Sequence, residues 1–214
     1  PQAQEGASSA AKIPVLNVFG VTEEERESRI AAYVEQLEAY DVQAMHEKYH
    51  PLAEGGFDEK NCVFGATDIA GVREMFSLPI EGIRSGINGQ SANSGRAKTQ
   101  VLSDTLTAMD EFLTLSYQHK GLSDDPAAGE KNRMPVSRIN IRYQRMFEGA
   151  FMYAGGAHIG IGWGSAAGMM AGRPLKVNAQ GEYEEGSYFG WGIGHEIGHE
   201  INEGAYAVAE VTNN

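Results

Sequence analysis

Cysteine is nearly absent from this chain. Cys62 is the only one among 214 residues, so no intrachain disulfide and no cysteine-rich metal site can form, and the thiol reads as a small interior side chain. A large secreted domain can do without disulfides, so their absence does not assign a compartment. Basic residues are also scarce: 17 lysines and arginines face 29 acidic residues, for a net charge of −12. That balance opposes binding to a phosphate backbone, and no lysine or arginine stripe offsets it, which excludes a nucleic-acid partner. No uninterrupted apolar run approaches the ~20 residues of a membrane span. The glycines supply no G-x-G-x-x-G and no phosphate-loop lysine between a strand and a helix, so nucleotide binding has no support either. What remains is 42% apolar and 21% charged residues, the composition of a globular chain with material for one sizeable core.

The chain opens on a small, polar, alanine-rich stretch, residues 1–12, that reads as a linker or N-terminal extension and has no apolar signal-peptide core. Residues 13–214 read as one domain. Thr22 followed by Glu23-Glu24-Glu25 predicts a capped helix start, with carboxylates against the positive end of the dipole. Ile30, Tyr33, Val34, Leu37 and Tyr40 then recur at helical spacing. His46 and His50 stand four apart in His-Glu-Lys-Tyr-His, but Pro51 follows directly and the segment reads as packing. A short strand is predicted over residues 61–68 and a helix start at Ser77-Leu78-Pro79. A long helix follows over residues 97–118, with Leu102, Leu106, Met109 and Leu113 as its apolar stripe. Residues 121–133 carry turn formers and charge, as an exposed loop does.

Beyond that loop the period changes from helical to extended. Val136, Ile139, Ile141 and Tyr143 alternate, after one slip, with Arg138, Asn140 and Arg142, which predicts a half-buried strand over residues 135–143. Residues 152–163 form a second extended segment, interrupted by glycine. Fifteen of the 27 glycines lie between positions 149 and 204, so this half is rich in tight turns and close backbone approaches. A strand edge in such a region can hold an extended peptide by its main chain.

The chemistry is concentrated in Gly192-Ile193-Gly194-His195-Glu196-Ile197-Gly198-His199-Glu200. On a helix, His195 and His199 share a face and can direct two imidazoles at one Zn2+, while Glu196 stands to the side as a general base. A helix over residues 191–202 is expected. A third ligand is needed, and Glu200, Glu203 and Glu210 are nearby. Glu200 follows a ligand directly on the same rigid helix, Glu203 sits at the turn, and Glu210 comes after the chain can reverse, which makes Glu210 the favoured ligand. Tyr183, Tyr188, Tyr206 and His158 are the residues available to stabilise an oxyanion.

The segments Gly194-His195-Glu196-Ile197-Gly198-His199 and Ala209-Glu210-Val211-Thr212-Asn213-Asn214, with the earlier Met152-Tyr153-Ala154-Gly155-Gly156-Ala157-His158-Ile159-Gly160-Ile161, resemble the peptidase M60 family of enhancin-like zinc metallopeptidases. The resemblance covers about residues 150–214. It implies an α+β, zincin-like domain with a mixed or antiparallel sheet and an active-site helix bearing HExxH. It also implies zinc held by His195, His199 and Glu210, with Glu196 as catalytic base and Asn213 and Asn214 in support. The implied activity is hydrolysis of peptide bonds in host glycoproteins such as mucin-type O-glycopeptides, by a secreted or cell-surface bacterial protein that can carry carbohydrate-binding domains. Family domains continue past the equivalent of Asn214, so further polypeptide, beyond that residue or in another chain, is expected to complete this one. Two other readings stand beside it: an inactive glycan- or protein-binding module that retains the zinc site, and a general zinc peptidase for unmodified peptides.

Overall fold

The computed structural model describes residues 12–49, 56–62 and 64–202. Strand β1 (Val15–Asn17) leads into helix α1 (Glu23–Ala39), then the short α2 (Val42–Tyr49). The predicted start of α1 is present in full: the Thr22 hydroxyl accepts from the Glu25 amide and the Glu25 carboxylate accepts from the Thr22 amide, a reciprocal capping box. At its other end, Arg84 donates to the carbonyls of Leu37 and Tyr40, satisfying groups that the last turn leaves open.

Strands β2 (Ala66–Ala70) and β3 (Glu74–Pro79) form a tight antiparallel pair, and α3 (Ile80–Ser94) begins without a connecting loop. Ser77, Leu78 and Pro79, read from sequence as a helix start, are the last three residues of β3, with Pro79 also occupying the cap position of α3. The strand expected over residues 61–68 is shifted: Asn61 lies in a turn and β2 begins at Ala66. The long predicted helix is α4 (Lys98–His119), with Leu102, Leu106, Met109 and Leu113 all buried.

Three further strands, β4 (Ile139–Tyr143), β5 (Met152–Ala154) and β6 (His158–Ile161), complete a six-stranded mixed sheet of order β1-β2-β3-β4-β6-β5. The change from helical to extended period after residue 133 therefore understates the sheet, since β1, β2 and β3 all come from the first half of the chain. Val136 is fully exposed and stands before the strand, so the slip in the alternation marks where β4 has not yet begun. The glycine-interrupted stretch over residues 152–163 is two strands, β5 and β6. They are joined by a two-residue turn in which Gly156 and Ala157 both have positive φ, 62° and 64°, the geometry that follows the right-handed twist of a hairpin.

One face of the sheet presents Ile69, Phe76, Leu78, Ile141, Ile159 and Ile161, all fully buried, to the helical layer that includes α1, α3 and α4. The alternate positions Asn140, Arg142 and His158 point to the other face. After a single turn α5 (Trp163–Ala166), the hairpin β7 (Arg173–Val177) and β8 (Tyr183–Ser187) packs on α4 and delivers the chain to α6 (Trp191–Ile201). Among the described residues, no helix is long and apolar enough to cross a membrane.

Candidate functional site

Helix α6 carries the His-Glu-x-x-His segment. Its start is fixed by Gly190, whose φ of +85° is one that residues with a Cβ rarely adopt. Ile193 and Ile197 turn into the core, at 0% and 1% exposure. Because a helix advances ~100° per residue, that anchoring directs His195, Glu196, His199 and Glu200 toward the end of the sheet. The helix leaves through Asn202 in an extended conformation, its amide donating to the Gly198 carbonyl at 3.0 Å.

The two imidazoles converge. His195 Nε2 and His199 Nε2 are 3.1 Å apart, with the rings edge to face. That distance suits an N–H of one ring donating to the bare nitrogen of the other, or one ion shared by both. Two imidazole ligands of one tetrahedral zinc, each ~2.0–2.1 Å from it, stand about 3.3–3.4 Å apart, so the pair needs almost no adjustment to hold one. Neutral imidazole is a donor that suits zinc. Among the described residues, no three His, Cys, Asp or Glu side chains group around a single ion position. Glu210, the expected third ligand, lies outside the described residues, as do Glu203 and Tyr206.

Glu196, His199 and Glu200 form one wall of a cleft of about 720 Å³ whose other wall is the chain from Met152 to Ala157. That second wall is β5 and the turn after it. Among the described residues β5 is the last strand of the sheet and pairs with a strand on one edge alone, so the cleft is bounded by a histidine-bearing helix and a strand edge. Met152 and Phe151 pack beside Gly192, which sets the spacing of the two walls at the start of the helix. Glu200 shares the wall with Glu196 even though it follows a proposed ligand directly.

His158 lies behind this rim and not at its centre. Its Nε2 is 2.9 Å from the Tyr153 hydroxyl and 3.0 Å from Arg142 Nη2, and its Nδ1 is 3.4 Å from the Gly156 carbonyl. The Tyr153 ring lies across Gly160, where a Cβ would sit 2.2 Å from the ring. His158 therefore orients Tyr153, a cleft residue that sequence reading passed over. The signal was available: five residues across a glycine-rich turn brings the two onto one face of a hairpin.

The two described tyrosines of the oxyanion set, Tyr183 and Tyr188, do not line the cleft. Tyr183 is exposed on β8. Tyr188 stacks on Phe112 of α4, with ring centroids 5.1 Å apart, and directs its hydroxyl at Glu111 Oε2. Burial, with Glu111 beside it, pushes that phenol up to about 12. Together Tyr188 and Phe112 line a separate groove with Gly194, Ile197 and Gly198 on the opposite side of α6.

No family model and no curated protein matches the chain. Among solved structures, the ZmpB metallopeptidase from Clostridium perfringens matches at 22% identity and a TM-score of 0.60, over 98% of this chain and 32% of its own. The M60 catalytic domain of ZmpC from the same organism, in complex with the sialyl T antigen, matches at 19% identity and a TM-score of 0.57, over 94% of this chain and 31% of its own. A third structure combines the M60 catalytic domain of ZmpB with two CBM32 domains and matches at 20% identity and a TM-score of 0.58. The protein thus has an α+β fold with a mixed sheet shared with M60 metallopeptidase catalytic domains, and it spans about a third of the length of the first two.

Proposed function

We propose that the chain is the HExxH-bearing part of a zinc-dependent endopeptidase that hydrolyses peptide bonds in host glycoproteins such as mucin-type O-glycopeptides. The observation that carries this reading is the convergence of His195 and His199 at 3.1 Å, beside a cleft walled by Glu196 on one side and an edge strand on the other. His195 and His199 hold the ion, and Glu210 completes the ligand set. Zinc bound there supplies Lewis acidity toward water and a scissile carbonyl. Glu196 accepts the proton of the attacking water and returns a proton to the leaving amine. The edge of β5 aligns an extended peptide through main-chain hydrogen bonds, which tolerate bulky substituents pointing away from the strand. The sialyl T antigen bound by the ZmpC domain and the CBM32 domains of ZmpB support a glycosylated substrate, accessory carbohydrate-binding domains and a secreted or cell-surface location.

Mass spectrometry of a panel of paired glycosylated and bare peptides, incubated with the complete protein with and without a chelator, tests the reading. Chelator-sensitive cleavage confined to glycopeptides is expected. Equal cleavage of bare peptides would replace it with a general zinc peptidase. Intact peptides together with measurable glycopeptide binding would replace it with an inactive recognition module.

A further inference from the structure

We infer that Trp191 is a positioning residue that sets the ring plane of His195 for metal binding. The inference rests on the reading of His195 as a zinc ligand. Trp191 is the first residue of α6 and stands four positions before His195, so both lie on one face of the helix. Side chains on a helix lean toward its N-terminus, which carries the imidazole back over the indole. The ring centroids are 4.8 Å apart and the planes are tilted by 33°. His195 meets His199 on its other side, also at 4.8 Å but edge to face at 88°. Three rings therefore run along one helix face, with His195 in the middle.

The consequence concerns the ring torsion. The χ2 angle of histidine is broad, and rotation about it exchanges the ring atoms presented to a neighbour. Here Nε2 is the atom that faces His199. The indole against one side, tilted by 33°, disfavours that rotation and holds Nε2 inward. It also covers the imidazole: His195 is 6% exposed although Trp191, on the first turn, is 65% exposed. Partners that orient a metal-binding histidine commonly change affinity by about 10–100-fold when removed.

The test titrates the complete protein with Zn2+ and Co2+ and compares W191A and W191F with the parent. W191A is expected to bind both ions at least about tenfold more weakly, while W191F, which keeps an aromatic face, stays within about threefold. Co2+ is expected to quench Trp191 emission in the parent. In metal-free protein, the imidazole protons of His195 are expected upfield by NMR relative to W191A. The second tryptophan, Trp163, and circular dichroism report whether W191A is folded, and the exposure of Trp191 favours that it is. Parent-like affinity in W191A, or an equal loss in W191F, would overturn the positioning role while leaving the zinc reading intact. A parent that binds neither ion overturns both.

Discussion

The pattern His-Glu-x-x-His occurs twice in this chain, beginning at His46 and at His195, and the difference between the two settings shows what the pattern needs before it means anything. On α2, His46 is buried at 2% exposure against the edge of the Phe57 ring, inside the apolar cluster of the core. The glutamate that follows it, Glu47, is exposed and accepts from Gln43 on its own helix at 2.8 Å. On α6 the first histidine is also buried, at 6% exposure, but its Nε2 meets a second imidazole, and the glutamate that follows borders a cleft. The letters are the same; the face of the helix that is anchored differs. Met45 and Val42 turn α2 so that its histidine enters the core and its glutamate enters water. Ile193 and Ile197 turn α6 so that the histidines and Glu196 point together at the end of the sheet.

The largest effect should separate the two glutamates. Glu196→Gln is expected to lower the rate of glycopeptide cleavage by about 10²–10⁴-fold, the usual worth of a positioned general base, with Zn2+ affinity within about threefold of the parent. Glu47→Gln should leave both unchanged. Rate measurements on the two variants side by side, under saturating zinc, break the comparison if Glu47→Gln is the slower enzyme.

A third glutamate sharpens the contrast between water and cleft by adding the interior. Glu74, the first residue of β3, is fully buried; its Oε2 accepts from the Arg73 amide at 3.2 Å. Burial first, and then the neighbouring Asp110, raise its pKa from 4.5 to about 8, while Arg138 and hydrogen bonds from the backbone oppose the rise. Arg73 and Asp124 complete the charged surroundings. Between pH 4.5 and 8 the folded state retains this proton and the unfolded state does not. The stabilisation is therefore fully present below about pH 4.5 and is lost as pH rises toward 8. Glu74→Gln cannot titrate, so its stability relative to the parent should increase across that window by on the order of a few kcal/mol. Urea unfolding of both proteins at pH 5 and pH 8 measures the difference, and a relative stability that does not change with pH would refute the assignment.

Much of the helical layer was legible because its period is long enough to read. The apolar stripe of α4 follows from spacing over ten residues or more, and the start of α1 from a local signal, Thr22 before an acidic first turn. The sheet was legible only in part, since its strands are three to six residues long and alternation cannot be distinguished from chance over so few positions. The passage from β3 into α3 has no turn at all, so Pro79 signalled the helix and concealed the strand before it. Within the site, the two histidines and Glu196 were legible because one helix carries them. Tyr153 was not singled out, because its place depends on the pairing of β5 with β6, although its spacing from His158 across a glycine-rich turn already carried the signal.

The smallest effect tests the two sides of α6. Tyr188 stood with His158 among the residues available to an oxyanion, yet it lies across the helix from the cleft, stacked on Phe112. Its hydroxyl reaches Glu111 at 3.5 Å, a long contact, while Glu111 also accepts from the Leu175 amide at 2.9 Å and so remains satisfied without it. Tyr188→Phe keeps the ring stack and removes only that contact. Its cost should be at most about 1 kcal/mol of stability, read as a small shift in the urea midpoint, with cleavage rate and Zn2+ affinity at parental values. A rate loss beyond about tenfold in this variant would mean that the groove behind α6 takes part in the reaction, because a group on the far side of a helix whose buried face is closed by Ile193 and Ile197 has no other route to the cleft.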